Sequence, residues 1–214
     1  MKKIKKILLI ILILSIIGLL SFIVYEKFFN TEKENEVKVI KTIPGYGYNL
    51  DDNETVVYKE EFNNLEKILS SSEVNYEDYA LSIAKLFIID FYTLDNKLSK
   101  NDIGGVSYIH PLVKDNFIEE ARSTFYKYLE VKTDKRTQKL PEVSNIIDEK
   151  IENTTFKIKS NNTTTNKNNK VTYETVDAYK VTISWEYKED LGYESECKII
   201  IIKKDNMLYI VEMD

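Results

Sequence analysis

His110 is the chain's only imidazole and Cys197 its only thiol. Acid–base or nucleophilic chemistry would have to be assembled around one of each. His110 precedes Pro111, which favours an extended backbone and places the histidine in a loop. A catalytic imidazole needs a nucleophile or carboxylate brought to it by the fold, and no motif supplies one. One Cys and one His exclude an internal disulfide framework, a Cys-rich zinc fold and any site needing two imidazoles. Cys197 lies in an apolar stretch and reads as a small core residue on a strand.

The carboxylates say more. Asp90 has Leu86, Phe87 and Leu94 as helical neighbours, with Ile83 two turns before it, so it stands at the edge of an apolar stripe. A buried acid is costly unless paired or protonated. Arg122 occupies the matching edge of a later helical segment, and an Asp90–Arg122 ion pair would lock the two helices. A general acid of raised pKa and a plainly exposed Asp90 are the alternatives. Asp51, Asp52 and Glu54 resemble a cation-binding fragment but lack the spacing of a calcium loop. Asp95, Asp102 and the Gly104-Gly105 pair lack the Lys-Ser or Lys-Thr of a phosphate loop. The acids there read as turn braces, and the glycines as a close approach or a positive φ. Nothing in these patterns asks for a metal or cofactor. Tyrosine is abundant at 15 of 214 residues. Tyr46, Tyr48, Tyr108, Tyr126 and Tyr128 could rim a groove, and Tyr92, Tyr108 and His110 are candidates to line a pocket.

These side chains must be positioned by an α+β domain. Val37 to Ile43 suits a short strand or extended arm, followed by a turn-rich Pro44–Tyr48 and a polar bend over Asn49–Glu54. A first helix is expected over Glu60–Ser70. The second, capped by Asn75 and running to about Leu94, carries Ala80, Ile83, Ala84, Phe87, Phe91 and Leu94 as one stripe, widened by Leu81, Ile88 and Tyr92. It should be central. A third is expected over 111–130, with Phe117, Ile118, Ala121, Phe125, Tyr128 and Leu129 inward. After Pro141 the apolar period falls from 3.6 to 2. Tyr179, Val181, Ile183, Trp185 and Tyr187 alternate with polar residues, the pattern of a half-buried antiparallel strand. Residues 160–170 read as a solvated hairpin loop. Lys198–Ile202 is apolar on both faces, and Lys204-Asp205-Asn206 is a hairpin turn before Met207–Met213. About three helices on a C-terminal antiparallel sheet of about four strands are expected.

The N-terminus places the chain. Lys2, Lys3, Lys5 and Lys6 precede an uncharged run from Ile7 to Tyr25, 15 of whose 19 residues are Ile, Leu, Val or Phe. As a helix it reaches about 28 Å, close to the hydrocarbon thickness. Its apolar residues contribute roughly −5 to −9 kcal/mol towards insertion. It is long for a cleaved signal, no Ala precedes Ala80, and no Cys follows the run until Cys197, so an uncleaved anchor is expected. The organisation is then a cytoplasmic stub over 1–6, a transmembrane helix over 7–25, a linker over 26–36 and an extracytoplasmic domain over 37–214, with the basic stub kept inside. Without residues 1–27 the chain has 25 basic and 34 acidic residues. That balance argues against a nucleic-acid partner. The expected partners are the bilayer, through 7–25, and other membrane or cell-surface proteins, with a homo-oligomer compatible.

The order of stub, span, linker, helices and antiparallel sheet resembles the single-span scaffold subunits of type IV secretion machines. Their outer domains belong to the nuclear-transport-factor-two-like cone fold. The segment Phe91–Lys97 with Lys100–Gly105 also looks like a stretch in membrane-anchored proteins of Gram-positive bacteria. These resemblances imply a cone-like domain and a scaffolding role, and transfer no functional residue. The expected function is therefore a membrane-anchored interaction or scaffold module without catalytic activity. The alternative is a small-ligand-binding or hydrolytic domain using a cavity between helices and sheet.

Overall fold

A computed structural model describes Ser15, Gly18, Ser21 and residues 37–159 and 172–214. The chain divides into two units, 1–36 and 37–214. In the first, Ser15, Gly18 and Ser21 are helical, and the rest of the expected span 7–25 lies outside the described residues, as does the expected loop 160–170. Among the described residues no helix is long and apolar enough to cross a membrane.

Among its described residues the second unit is α+β, with three α-helices and a C-terminal four-stranded antiparallel sheet. It opens with β1 (Val39–Thr42) and β2 (Asn49–Asp51), an antiparallel pair in which Thr42 faces Asn49. The stretch expected as a polar bend is thus partly a strand. Leu50 alone of its three residues is buried, too little for an alternation to show.

Helix α1 (Val56–Leu69) begins four residues before its expected start, because Thr55 caps it through a 3.2 Å bond from the Tyr58 amide to its hydroxyl. Tyr58, Phe62, Leu65 and Leu69 are buried at helical spacing. Helix α2 (Tyr76–Tyr92) is capped by Asn75, whose side chain accepts the Glu77 and Asp78 amides. Glu77 and Asp78 also favour the positive end of the helix dipole. Eleven of its seventeen residues are buried, among them Tyr79, Ile83, Leu86 and Ile89. It packs against α1 and against the sheet. A 3₁₀ turn (Val106–Tyr108) and α3 (Lys114–Ser123) follow.

Helix α3 is half its expected length. The Ser123 and Thr124 hydroxyls both donate to the Glu120 carbonyl, and Thr124 leaves helical geometry at ψ −93°. Such bonds compete with the helical ladder. Beyond them the chain proceeds in turns that bury Tyr126 and Leu129 but leave Tyr128 77 % exposed.

The main sheet runs β3 (Val143–Lys159), β4 (Tyr173–Tyr187), β5 (Glu196–Lys204), β6 (Met207–Met213), each antiparallel to the next. Val181, Ile183 and Trp185 of β4 join Cys197, Ile199 and Ile201 of β5 in the main core. On the other face Ala178, Ile202 and Val211 form a small second cluster, which accounts for β5 being apolar on both sides. The β5–β6 turn carries Asp205 at φ 56°. The edge of β6 is partly covered: Ile109 bridges Ile210, and the His110 amide donates to the Ile210 carbonyl at 2.8 Å. That contact removes free edge groups from a strand that would otherwise invite pairing.

Candidate functional site

Two features of the domain combine functional groups: a buried polar centre and an apolar groove. The polar centre lies where α2 ends. Thr93 leaves helical geometry, the Leu94 amide donates to the Pro141 carbonyl at 2.9 Å, and the Thr93 hydroxyl accepts the Val143 amide at 3.1 Å. The chain then doubles back. Lys97, seven residues after Asp90, returns to the last turn of α2 and pairs with the Asp90 carboxylate. The Lys97 side chain is 4 % exposed and that of Asp90 13 %. The second Asp90 oxygen accepts the Gly105 amide at 2.6 Å.

The expected Asp90–Arg122 pair is corrected by this geometry. Asp90 is indeed paired, but by Lys97, while Arg122 stands exposed on the shortened α3. The paired glycines are needed for packing. A Cβ on Gly104 would land on the Asp90 backbone carbonyl, and one on Gly105 would stand 2.5 Å from the Phe87 ring, with Gly105 at φ +73°. Asp102 accepts the Leu98 amide at 2.8 Å, and Arg136 and Lys132 donate to carbonyls of the same loop. Asp102 is thus a turn brace, as its position suggested.

Around Lys97 stand Asp51, Glu54 and Asp102, lining a polar niche of about 190 Å³. Burial, and then the Asp90 charge, push the Glu54 carboxyl up to about 7. Burial works against the Lys97 ammonium, but Asp90 and Glu54 outweigh it and hold its pKa above the usual lysine range. Asn96 ties this centre to the loop before α1, donating to Glu54 at 3.2 Å. Among the described residues no group of three or more His, Cys, Asp or Glu has the geometry to hold a metal ion.

The groove, about 730 Å³, opens between α3 and the sheet. Phe87, Phe91 and Tyr92 of α2 form one wall; Phe117, Phe125 and Tyr193 form the other. The Phe91 ring centre lies 5.3 Å from Phe117 and 5.4 Å from Phe125, and Phe125 meets Tyr193 edge-on at 5.6 Å. Phe117 and Phe125 are half-buried. Phe117 of α3 and Phe125 just beyond it therefore look partly into open space rather than wholly into dry core.

Of the residues expected to line a pocket, Tyr92 does so. Tyr108 does not: it is buried, with its hydroxyl 2.6 Å from that of Tyr58. Nor does His110, which is buried against Tyr209, its Nδ1 accepting the Leu112 amide at 3.2 Å. Burial, and then Lys204, lower its pKa. The tyrosines expected to rim a groove mostly serve the core. Tyr48 shares a 2.7 Å bond with Tyr79, and Tyr126 donates to the Phe91 carbonyl while accepting the Gly104 amide. Buried hydroxyls require such partners. The sequence had no signal for Lys97 and marked Glu54 only as part of an acidic fragment; their neighbours come together only when the loops fold back. No family model, curated protein or solved structure matches the chain.

Proposed function

We propose that residues 37–214 form an extracytoplasmic binding module without catalytic activity. Residues 7–25 would tether it to the cell membrane, and the aromatic groove would be its binding site. The groove carries this reading: its size falls within the range of small-molecule sites, and its walls are apolar and aromatic. The imidazole faces Tyr209 and the thiol is buried in the sheet, so neither lines it. Tethering raises the module's effective concentration for neighbours in the same membrane. A scaffolding role, which the resemblance to type IV secretion subunits implies, is compatible with that arrangement.

The test uses the full chain in phosphatidylcholine nanodiscs, with empty nanodiscs subtracted. Trp185 is the only tryptophan, and its ring centre lies 4.5 Å from that of groove-lining Tyr92, so its fluorescence can report occupancy. Titration with 4-phenylbutanol should give a saturable change. Asn116→Phe, which projects a ring into the groove from the exposed side of α3, should weaken binding at least about fivefold, the effect of roughly 1 kcal/mol. Asp115→Phe, one residue away and outside the lining, should not. A linear response, or equal loss in both variants, would refute the groove as the site. Release of the protein from cell membranes by alkaline carbonate would refute the tether.

A further inference from the structure

The groove's walls and its charged groups make different demands on a ligand. Every acidic or basic residue that lines it is a glutamate: Glu120 from α3, Glu194 from the β4–β5 connection and, along the edge of β6, Glu212, whose side chain shares the far face of the sheet with its partner Ile200. No Lys, Arg or His lines it. The three come from separate elements, so the shared sign does not follow from one acidic stretch of sequence. All three are exposed; Glu120 shares the groove-lining stripe of Asn116, Phe117 and Thr124, and Glu194 follows Tyr193, which places these two carboxylates at the mouth. The same field reaches inward. Burial first, and then Glu194 and Glu196, push the Cys197 thiol up to about 12.

Below the carboxylates lie six aromatic rings, whose negative π-faces attract cations as well as apolar groups. A neutral apolar ligand would use the walls and ignore the mouth. An anion would be repelled by both. A second copy of this chain would set glutamates against glutamates across a two-fold axis, and the whole domain is acidic, with 24 basic and 31 acidic residues from position 37 onward.

We propose that the groove selects small amphiphilic organic cations, molecules with an apolar or aromatic body for the ring-lined walls and an ammonium group for the Glu120 and Glu194 carboxylates. This rests on the groove being the binding site. It goes further by stating which charge the ligand carries and where that charge sits.

The experiment compares three probes of one shape on the full chain in phosphatidylcholine nanodiscs: 4-phenylbutylammonium, 4-phenylbutanol and 4-phenylbutyrate, read by Trp185 fluorescence against empty nanodiscs. The ammonium should bind about fivefold to tenfold more tightly than the alcohol at low salt, and the carboxylate more weakly than both. The preference should shrink towards unity in 1 M salt, where exposed charges are screened beyond about 3 Å. The variant carrying Glu120→Gln and Glu194→Gln should lose the preference for the ammonium over the alcohol, and Glu212→Gln, on the far face of the sheet, should keep it. Because both positions are exposed, the double variant should keep the parent's unfolding midpoint, which is checked first. If single replacements are needed for folding, Glu194→Gln alone should lower the preference.

The outcomes separate two failures. If all three probes bind alike, or the double variant retains the preference, charge selection is overturned while the groove stands. If none binds, the groove itself is rejected as the site. Probe binding that falls as the protein is concentrated would assign the groove to a second copy and overturn the proposal.

Discussion

The Lys97 ammonium is held by the Asp90 carboxylate at the C-terminal end of α2, and both side chains are nearly out of water. Removing one partner of a buried pair leaves a desolvated charge and costs about 3–5 kcal/mol, whereas replacing both with apolar groups of similar shape can be nearly neutral. Asp90→Ala should therefore lower the melting temperature by roughly 10 °C, at about 2–4 °C per kcal/mol for a domain of this size. Asp90→Leu combined with Lys97→Met should recover part of that loss. Thermal denaturation followed by circular dichroism measures both. An unchanged melting point in Asp90→Ala would mean that the pair does not brace the loop.

Gly104 and Gly192 separate two reasons for glycine. At Gly104 a methyl group would collide with the Asp90 backbone carbonyl, and Asp90 Oδ1 would lie 2.7 Å from it. At Gly192 the space is open and only the φ of +76° disfavours a side chain. Gly192→Ala should cost about 1–2 kcal/mol, the left-handed penalty. Gly104→Ala should cost clearly more, because backbone cannot move aside as a flexible side chain can. Urea unfolding of the two variants side by side checks the order, and equal midpoints would contradict it.

Legibility in the sequence followed the range of the interactions. Asn75 caps α2 through bonds within three residues, and β4 alternates over ten residues, so both were visible as local pattern. The end of α3 was not. It depends on the Ser123 and Thr124 hydroxyls turning back to Glu120, where composition still favours a helix. Asp90 could be identified as needing a partner from its apolar neighbours alone. Lys97 could not be chosen over Arg122, because that choice depends on a loop held by Asp102 and Arg136. The groove was hidden for a different reason. Phe117 and Phe125 follow the same spacing whether α3 closes onto the sheet or stands off from it.

Cys197 is buried, and its thiol is pushed up to about 12, chiefly by burial and further by Glu194 and Glu196. The thiolate is the reactive form. In the folded protein at pH 8, Ellman's reagent should react with less than about a tenth of the thiol over the time that labels it fully in 6 M guanidinium, given this burial and pKa. Rapid labelling without denaturant would show that β5 opens or that the thiol is accessible.

Glu54 makes stability depend on pH in an uncommon direction for a carboxylate. Its folded pKa is raised to about 7 from an ordinary 4.5, by burial first and then by Asp90. The folded state therefore binds this proton more tightly than the unfolded chain does. The stabilisation is fully present below pH 4.5 and is lost as the pH rises through about 7. Asp51, raised by burial and by Asp90, acts in the same sense. His110, lowered from 6.5, acts oppositely as the pH falls below that value. The comparison with Glu54→Gln isolates the glutamate, because a glutamine there is neutral at every pH. The parent should gain stability relative to Glu54→Gln when the pH is lowered from 8 to 5, by about 2–3 kcal/mol, most of what a rise from 4.5 to about 7 is worth. Urea midpoints of both proteins at pH 5, 6.5 and 8 provide the measurement. Parallel midpoints across the range would mean that Glu54 is ionised in the fold as readily as in water.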